Sequence, residues 1–159
     1  MLTSSLDMLE DSLIKKIDIM TKIEEENEKQ REVLSSMDEA REPEFEQTVD
    51  RKMELIDQLE LLDDGFQSLF DRVKEEVNGN RELYKDNIKR MQDLIKEITG
   101  KSASIEASEH RNKRLAEEFF SAARQKMNES KRSSAAAFNY YQTMNNFKDV
   151  PPQFLDNKH

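Results

Sequence analysis

Apolar residues recur at steps of three and four along most of the chain, a spacing that gathers them on one face of a helix. The first series, Leu2, Leu6, Leu9, Leu13, Ile17, Met20 and Ile23, then Val33, Leu34 and Met37, predicts a helix over about 2–41. Pro43 should end it, because proline lacks an amide donor and pushes the residue before it out of helical geometry. Glu42 and Pro43 are therefore expected to form the first turn. A second series runs through Phe45, Val49, Met53, Ile56, Leu59, Leu62, Phe66, Leu69 or Phe70, Val73 and Val77 and predicts a helix over about 44–77. Gly65 falls inside it at a cost of about 1 kcal/mol relative to alanine, which the sustained repeat outweighs. Asn78-Gly79-Asn80 reads as the next turn, with glycine suited to left-handed geometry after a helix and asparagine suited to starting another.

The third series holds Leu83, Tyr84, Ile88, Met91, Leu94, Ile95, Ile98, Ile105, Leu115, Phe119, Phe120, Ala123 and Met127, predicting a helix over about 81–132. The repeat carries from Ile98 through Ser102 to Ile105, so continuity through Gly100 is expected. Beyond 133 no long period remains, yet Phe138, Tyr140, Tyr141, Phe147 and Phe154 place five of the 11 aromatic residues in the final 22 positions. Such a segment should dock on its own bundle or fold against a partner.

Short connections between long helices favour antiparallel neighbours. The expected fold is thus all-α: an up-down-up bundle of three helices over 1–132, followed by an aromatic-rich C-terminal tail over 133–159. The third helix is the longest and should overhang. With residue 81 set beside residue 4, Phe119, Phe120 and Met127 fall on the projecting part. In the same alignment the polar run 24–32 lies level with the polar stretch 101–109, which would leave Met53, Ile56, Leu59 and Leu62 poorly covered on the second helix. Another chain or the tail would then cover that strip, unless it is an ordinary solvated layer.

Composition agrees with a thin helical seam. Ala, Glu, Lys, Leu and Arg supply 69 of 159 residues, and apolar residues only 35%. The absence of cysteine excludes disulfide scaffolds, thiol nucleophiles, iron–sulfur clusters and cysteine-based zinc sites. Isolated glycines at 65, 79 and 100 exclude a glycine-rich phosphate loop. No apolar run approaches a membrane span, and the N-terminus has no signal-like pattern, so a cytoplasmic protein without membrane insertion is expected. Net charge is −9, divided as −13 over residues 1–79 and +4 over residues 80–159. That division points to complementary helix faces and against nucleic-acid binding, since phosphate would repel the chain.

No residue set announces catalysis. Carboxylate pairs such as Asp63 with Asp64 or Glu117 with Glu118 read as solvated faces, because acid–base work needs a pocket that shifts a pKa. His110 with Glu106, Glu109 or Glu117 lacks the repeated Glu-x-x-His that a carboxylate-bundle metal site requires and reads as a surface histidine. Methionines on the helical repeat, such as Met20 and Met91, suit packing or an adaptable binding surface.

Three stretches carry a resemblance. The run from Leu34 to Phe70, with Phe45, Val49, Asp50, Lys52, Leu55, Ile56, Leu59, Leu62, Asp63, Gly65 and Phe66, resembles the second-helix pattern of FlgN-like flagellar chaperones, an acidic and apolar helix with a lysine ahead of leucine-rich turns. Leu94-Ile95 and the region from Ile105 to Asn112 look like the third helix of that family. The ending, Ala135-Ala136-Ala137, Tyr140-Tyr141, Phe154-Leu155-Asp156 and Lys158, is similar to its tails, although Asn157-Lys158-His159 replaces a longer lysine run.

The resemblance implies a cytoplasmic chaperone of type III flagellar export, non-enzymatic and needing no nucleotide or metal. It would hold the hook–filament junction proteins FlgK and FlgL unassembled and deliver them to the export gate. Their apolar helices would be shielded in a helix-in-groove contact. It also implies that the late third helix and tail do the binding, through Leu115, Phe119, Phe120, Met127, Phe138, Tyr140 and Tyr141, with a tail tyrosine serving the gate. Two alternatives stand beside it: a FliT-like chaperone of the filament cap protein, and a homo-oligomeric coiled-coil scaffold or tether paired through the uncovered strip of the second helix. The choice between monomer and homodimer stays open.

Overall fold

The computed structural model describes residues 2–130, which form α1 (Leu2–Ser35), a short 3-10 turn (Glu39–Arg41), α2 (Glu42–Val77) and α3 (Lys85–Ser130). The described residues contain no strand, as the all-α reading expects. The tail 133–159 lies outside the described residues. None of the described helices is long and apolar enough to cross a membrane.

The first corner differs from the expected one. α1 stops at Ser35, six residues early, and the chain turns over residues 36–41. Met37 takes a left-handed φ of 54°. The Ser36 hydroxyl donates to the Val33 carbonyl at 2.6 Å, and the Asp38 carboxylate accepts from the Ala40 amide, capping the 3-10 turn. Pro43 is part of the first turn of α2 instead of the break before it. Amides there have no intrahelical acceptor, so proline loses nothing, and its fixed φ already suits the helix. Glu42 and Glu44 in the same turn face the positive end of the helix dipole.

The second corner is longer than expected. Asn80 donates to the Val77 carbonyl at 2.8 Å, and its own carbonyl accepts from Leu83 and Tyr84, so α3 begins only at Lys85. Gly79 does not use left-handed geometry, since no described glycine has positive φ. Gly100 leaves α3 unbroken, as expected.

α1 is the shared helix, packing along both others. It runs antiparallel to α2, marked by Lys16 with Asp63, Glu26 with Arg51 and Gln30 with Thr48. It runs parallel to α3, where its carboxylates Glu10, Glu24 and Glu28 meet Arg90, Lys101 and Arg111. The acidic and basic halves of the chain therefore face each other on adjacent helices. Leu6, Leu9, Leu13, Met20, Ile23 and Leu34 from α1 join Phe45, Val49, Ile56 and Leu59 from α2 in the core.

Two expectations about coverage are corrected. Ile56 and Leu59 are buried within the molecule itself, while Met53 is largely exposed and Leu62 half-buried. Phe119 and Phe120 do not project: they are 2% and 0% exposed. Asn27 meets Ser108 and Gln30 meets Asn112 at separations of 81 and 82 residues, about one helical turn beyond the alignment expected from sequence. That shift draws both phenylalanines level with the α1–α2 corner, where Phe120 stacks edge-on against Phe45 at 5.4 Å and against Phe119 at 5.3 Å.

Candidate functional site

At the end of the molecule where α1 starts and α2 finishes, α2 and α3 stand apart over α1 and leave a groove of about 540 Å³. Its floor is Leu9 and Leu13 of α1. One wall is Phe70, Val73 and Val77 of α2, and the other is Ile88, Met91 and Ile95 of α3. Each wall uses positions i, i+3 and i+7, so each presents two turns of a single helical face. Exposure rises toward the α3 wall: Leu9 of the floor and Val73 and Val77 of the α2 wall are buried, whereas Ile95 is 41% exposed. The charged lining residues Asp71, Glu75, Lys74 and Arg81 are exposed and cancel in sign. Small-molecule clefts aim a few polar groups inward to orient a ligand. Here the walls are apolar, and the shape matches the apolar stripe of a helix in the place a fourth helix of a bundle would take.

At the other end a polar layer joins all three helices. Lys52 is fully buried, donating to the Glu109 carboxylate at 2.7 Å and to Gln30 Oε1 at 3.3 Å. Gln30 in turn donates to the Thr48 hydroxyl, and Asn112 donates to Gln30 Oε1 and to the Asn27 carbonyl. Asn27 reaches the Ser108 hydroxyl at 3.0 Å. Burial pushes the Lys52 ammonium down to about 8, while Glu109 and the more distant Glu26 hold it up. Burial likewise lowers Lys16, opposed by its bond to Asp63. A buried ion pair of this kind contributes little net stability, and its partners tie the three helices together at one level.

Of the residues singled out from sequence, Phe119 and Phe120 are brought together, in the core and not on a binding surface. Leu115 packs partly buried against the core, and Met127 is half-buried near the end of α3. Phe119 and Phe120 are enclosed, while Phe138, Tyr140 and Tyr141 lie outside the described residues. His110 is 71% exposed beside Glu106, and no cluster of three or more metal-ligating side chains occurs among the described residues. Sequence reasoning missed both the groove and the polar layer. For the layer a signal existed, because Lys52 and Gln30 occupy seam positions by spacing.

Comparison with models of protein families, with curated protein sequences and with solved structures gives no match, so the arrangement of the side chains carries the functional argument.

Proposed function

We infer that the chain is a non-enzymatic helix-binding chaperone that shields an apolar helix of another protein, of the type III flagellar export kind to which the FlgN-like resemblance points. One observation carries this reading: the groove between α2 and α3 offers two apolar helical faces over a buried apolar floor. Chain length separates that groove from the aromatic cluster of the same molecule. Ile95 lies 35 residues before Ser130, about 52 Å along α3 at 1.5 Å per residue. Phe138 to Tyr141 follow Ser130 by eight to 11 residues and reach at most about 40 Å. The stretch 138–141 thus falls short of the groove, and the occupant we propose is a helix supplied by a partner, with the junction proteins FlgK and FlgL the clients implied by the resemblance. Phe138, Tyr140 and Tyr141 remain, in this reading, for a second contact with the client or the export gate.

The test is size-exclusion chromatography with light scattering on the chain mixed with FlgK, FlgL or the filament cap protein. A stoichiometric complex with a junction protein that disappears in Ile95→Glu, at unchanged helicity, is the expected result. A complex indifferent to Ile95→Glu would remove the groove from the account, and a complex with the cap protein alone would favour the FliT-like alternative.

A further inference from the structure

A second apolar patch lies on the outer side of the α1–α2 pair and is lined by those two helices alone. Leu61 is 75% exposed and Ile14 51% exposed, and both border one shallow depression with Ile19 and Leu62. The α2 edge is acidic, whereas the α1 edge carries lysines alternating with aspartates. On α1, Lys15 and Lys22 are solvent-facing and paired to Asp11 and Asp18, one turn earlier on the same helix. On α2, Asp57, Glu60 and Asp64 are exposed and have no ion-pair partner among the described residues. The pairs Lys16 with Asp63 and Glu26 with Arg51 fix the levels of the two helices, placing Lys15 beside the level of Asp64 and Lys22 beside that of Asp57.

We propose that this face is the interface of a homodimer. A two-fold axis parallel to the helices sets α1 of each copy over α2 of the other without any shift along the axis, and every neighbouring pair in the resulting four-helix layer is antiparallel. Lys15 then meets Asp64 of the other copy, Lys22 meets Asp57, and Ile14 falls within one turn of Leu61. The patch is thus complementary to itself in apolar content, and its two lysines reach the unpaired carboxylates of the other copy. It shares no lining residue with the groove between α2 and α3, so the dimer carries two open grooves, and its existence does not depend on the client reading.

Sedimentation velocity over a range of concentrations tests this. The full chain should double in mass as concentration rises, and more weakly in high salt. Leu61→Glu should hold it monomeric, as should Lys15→Glu with Lys22→Glu. Adding Asp57→Lys and Asp64→Lys to the latter pair should restore the dimer. All these positions are exposed, so circular dichroism should remain that of the parent. A full chain that stays monomeric at every concentration, a dimer that survives Leu61→Glu, or a charge reversal that restores nothing would overturn the proposal. So would a monomer whose Leu61 methyl signal moves on removal of residues after 132, since the tail would then be the occupant.

Discussion

Removing either partner of the Lys52–Glu109 pair should have very different consequences. Lys52 Nζ is fully buried and 2.7 Å from Glu109, whose side chain is 13% exposed. In Glu109→Ala the ammonium loses its nearest counter-charge and stays enclosed, a loss expected to cost about 3–5 kcal/mol. In Lys52→Met the buried charge itself is gone, a thioether of similar length fills its place, and Glu109 can turn to water. Gln30 Oε1 still accepts from Asn112. That variant should lie within about 1 kcal/mol of the parent. The same physics sets a pH dependence. The folded Lys52 titrates near 8 against 10.5 for the ordinary group. Between those values the unfolded chain holds a proton that the folded chain does not, so stability should rise with pH across this window, by up to about 3 kcal/mol from this residue. Below about pH 8 both states are charged and the penalty is fully present. Lys16, lowered in the same direction, adds to the rise. Urea unfolding followed by circular dichroism, from about pH 7 to 10, measures all of this. Lys52→Met should flatten the rise without abolishing it. Equal destabilisation by the two variants, or the same pH slope in the parent and Lys52→Met, would refute the account of the layer.

Other outcomes follow from the packing. Phe120→Ala should cost about 3–5 kcal/mol in the same unfolding assay, because its ring is enclosed between Phe45 and Phe119; a loss below about 1 kcal/mol would return it to a projecting segment. Met37→Gly should raise stability by about 1 kcal/mol, since glycine accepts the left-handed φ that methionine holds under strain. Truncation after Arg132 should leave the melting temperature nearly unchanged, measured by the same dichroism signal on heating.

The helices were legible because spacing and hydropathy agree over most of their length. Where they part, spacing was the better guide. Along α1 the inward series is Met20, Ile23, Asn27, Gln30 and Leu34, and along α2 it is Phe45, Val49, Lys52, Ile56 and Leu59, both stepping by three and four without a break. Hydropathy replaced Lys52 with Met53 and read Asn27 and Gln30 as a gap, since nothing local shows that a polar residue has a buried partner 81 residues away. The depth of Phe119 and Phe120 was hidden for a related reason. Their burial depends on where α3 starts, at Lys85, and on its register against α1, neither of which the local sequence of α3 shows. The groove was the least legible feature. Its lining residues appear in sequence as ordinary seam positions, and the separation of α2 from α3 leaves a groove between them.

Methyl-labelled nuclear magnetic resonance, with Ile, Leu, Val and Met reporters, tests the central claim most directly when the chain is titrated with the apolar C-terminal helix of FlgK or FlgL. The account predicts saturable shifts at Val73, Val77, Ile88, Met91 and Ile95, with Leu115 and Met127 unmoved. Shifts concentrated at Leu115 and Met127, or none at the groove at saturating peptide, would contradict it.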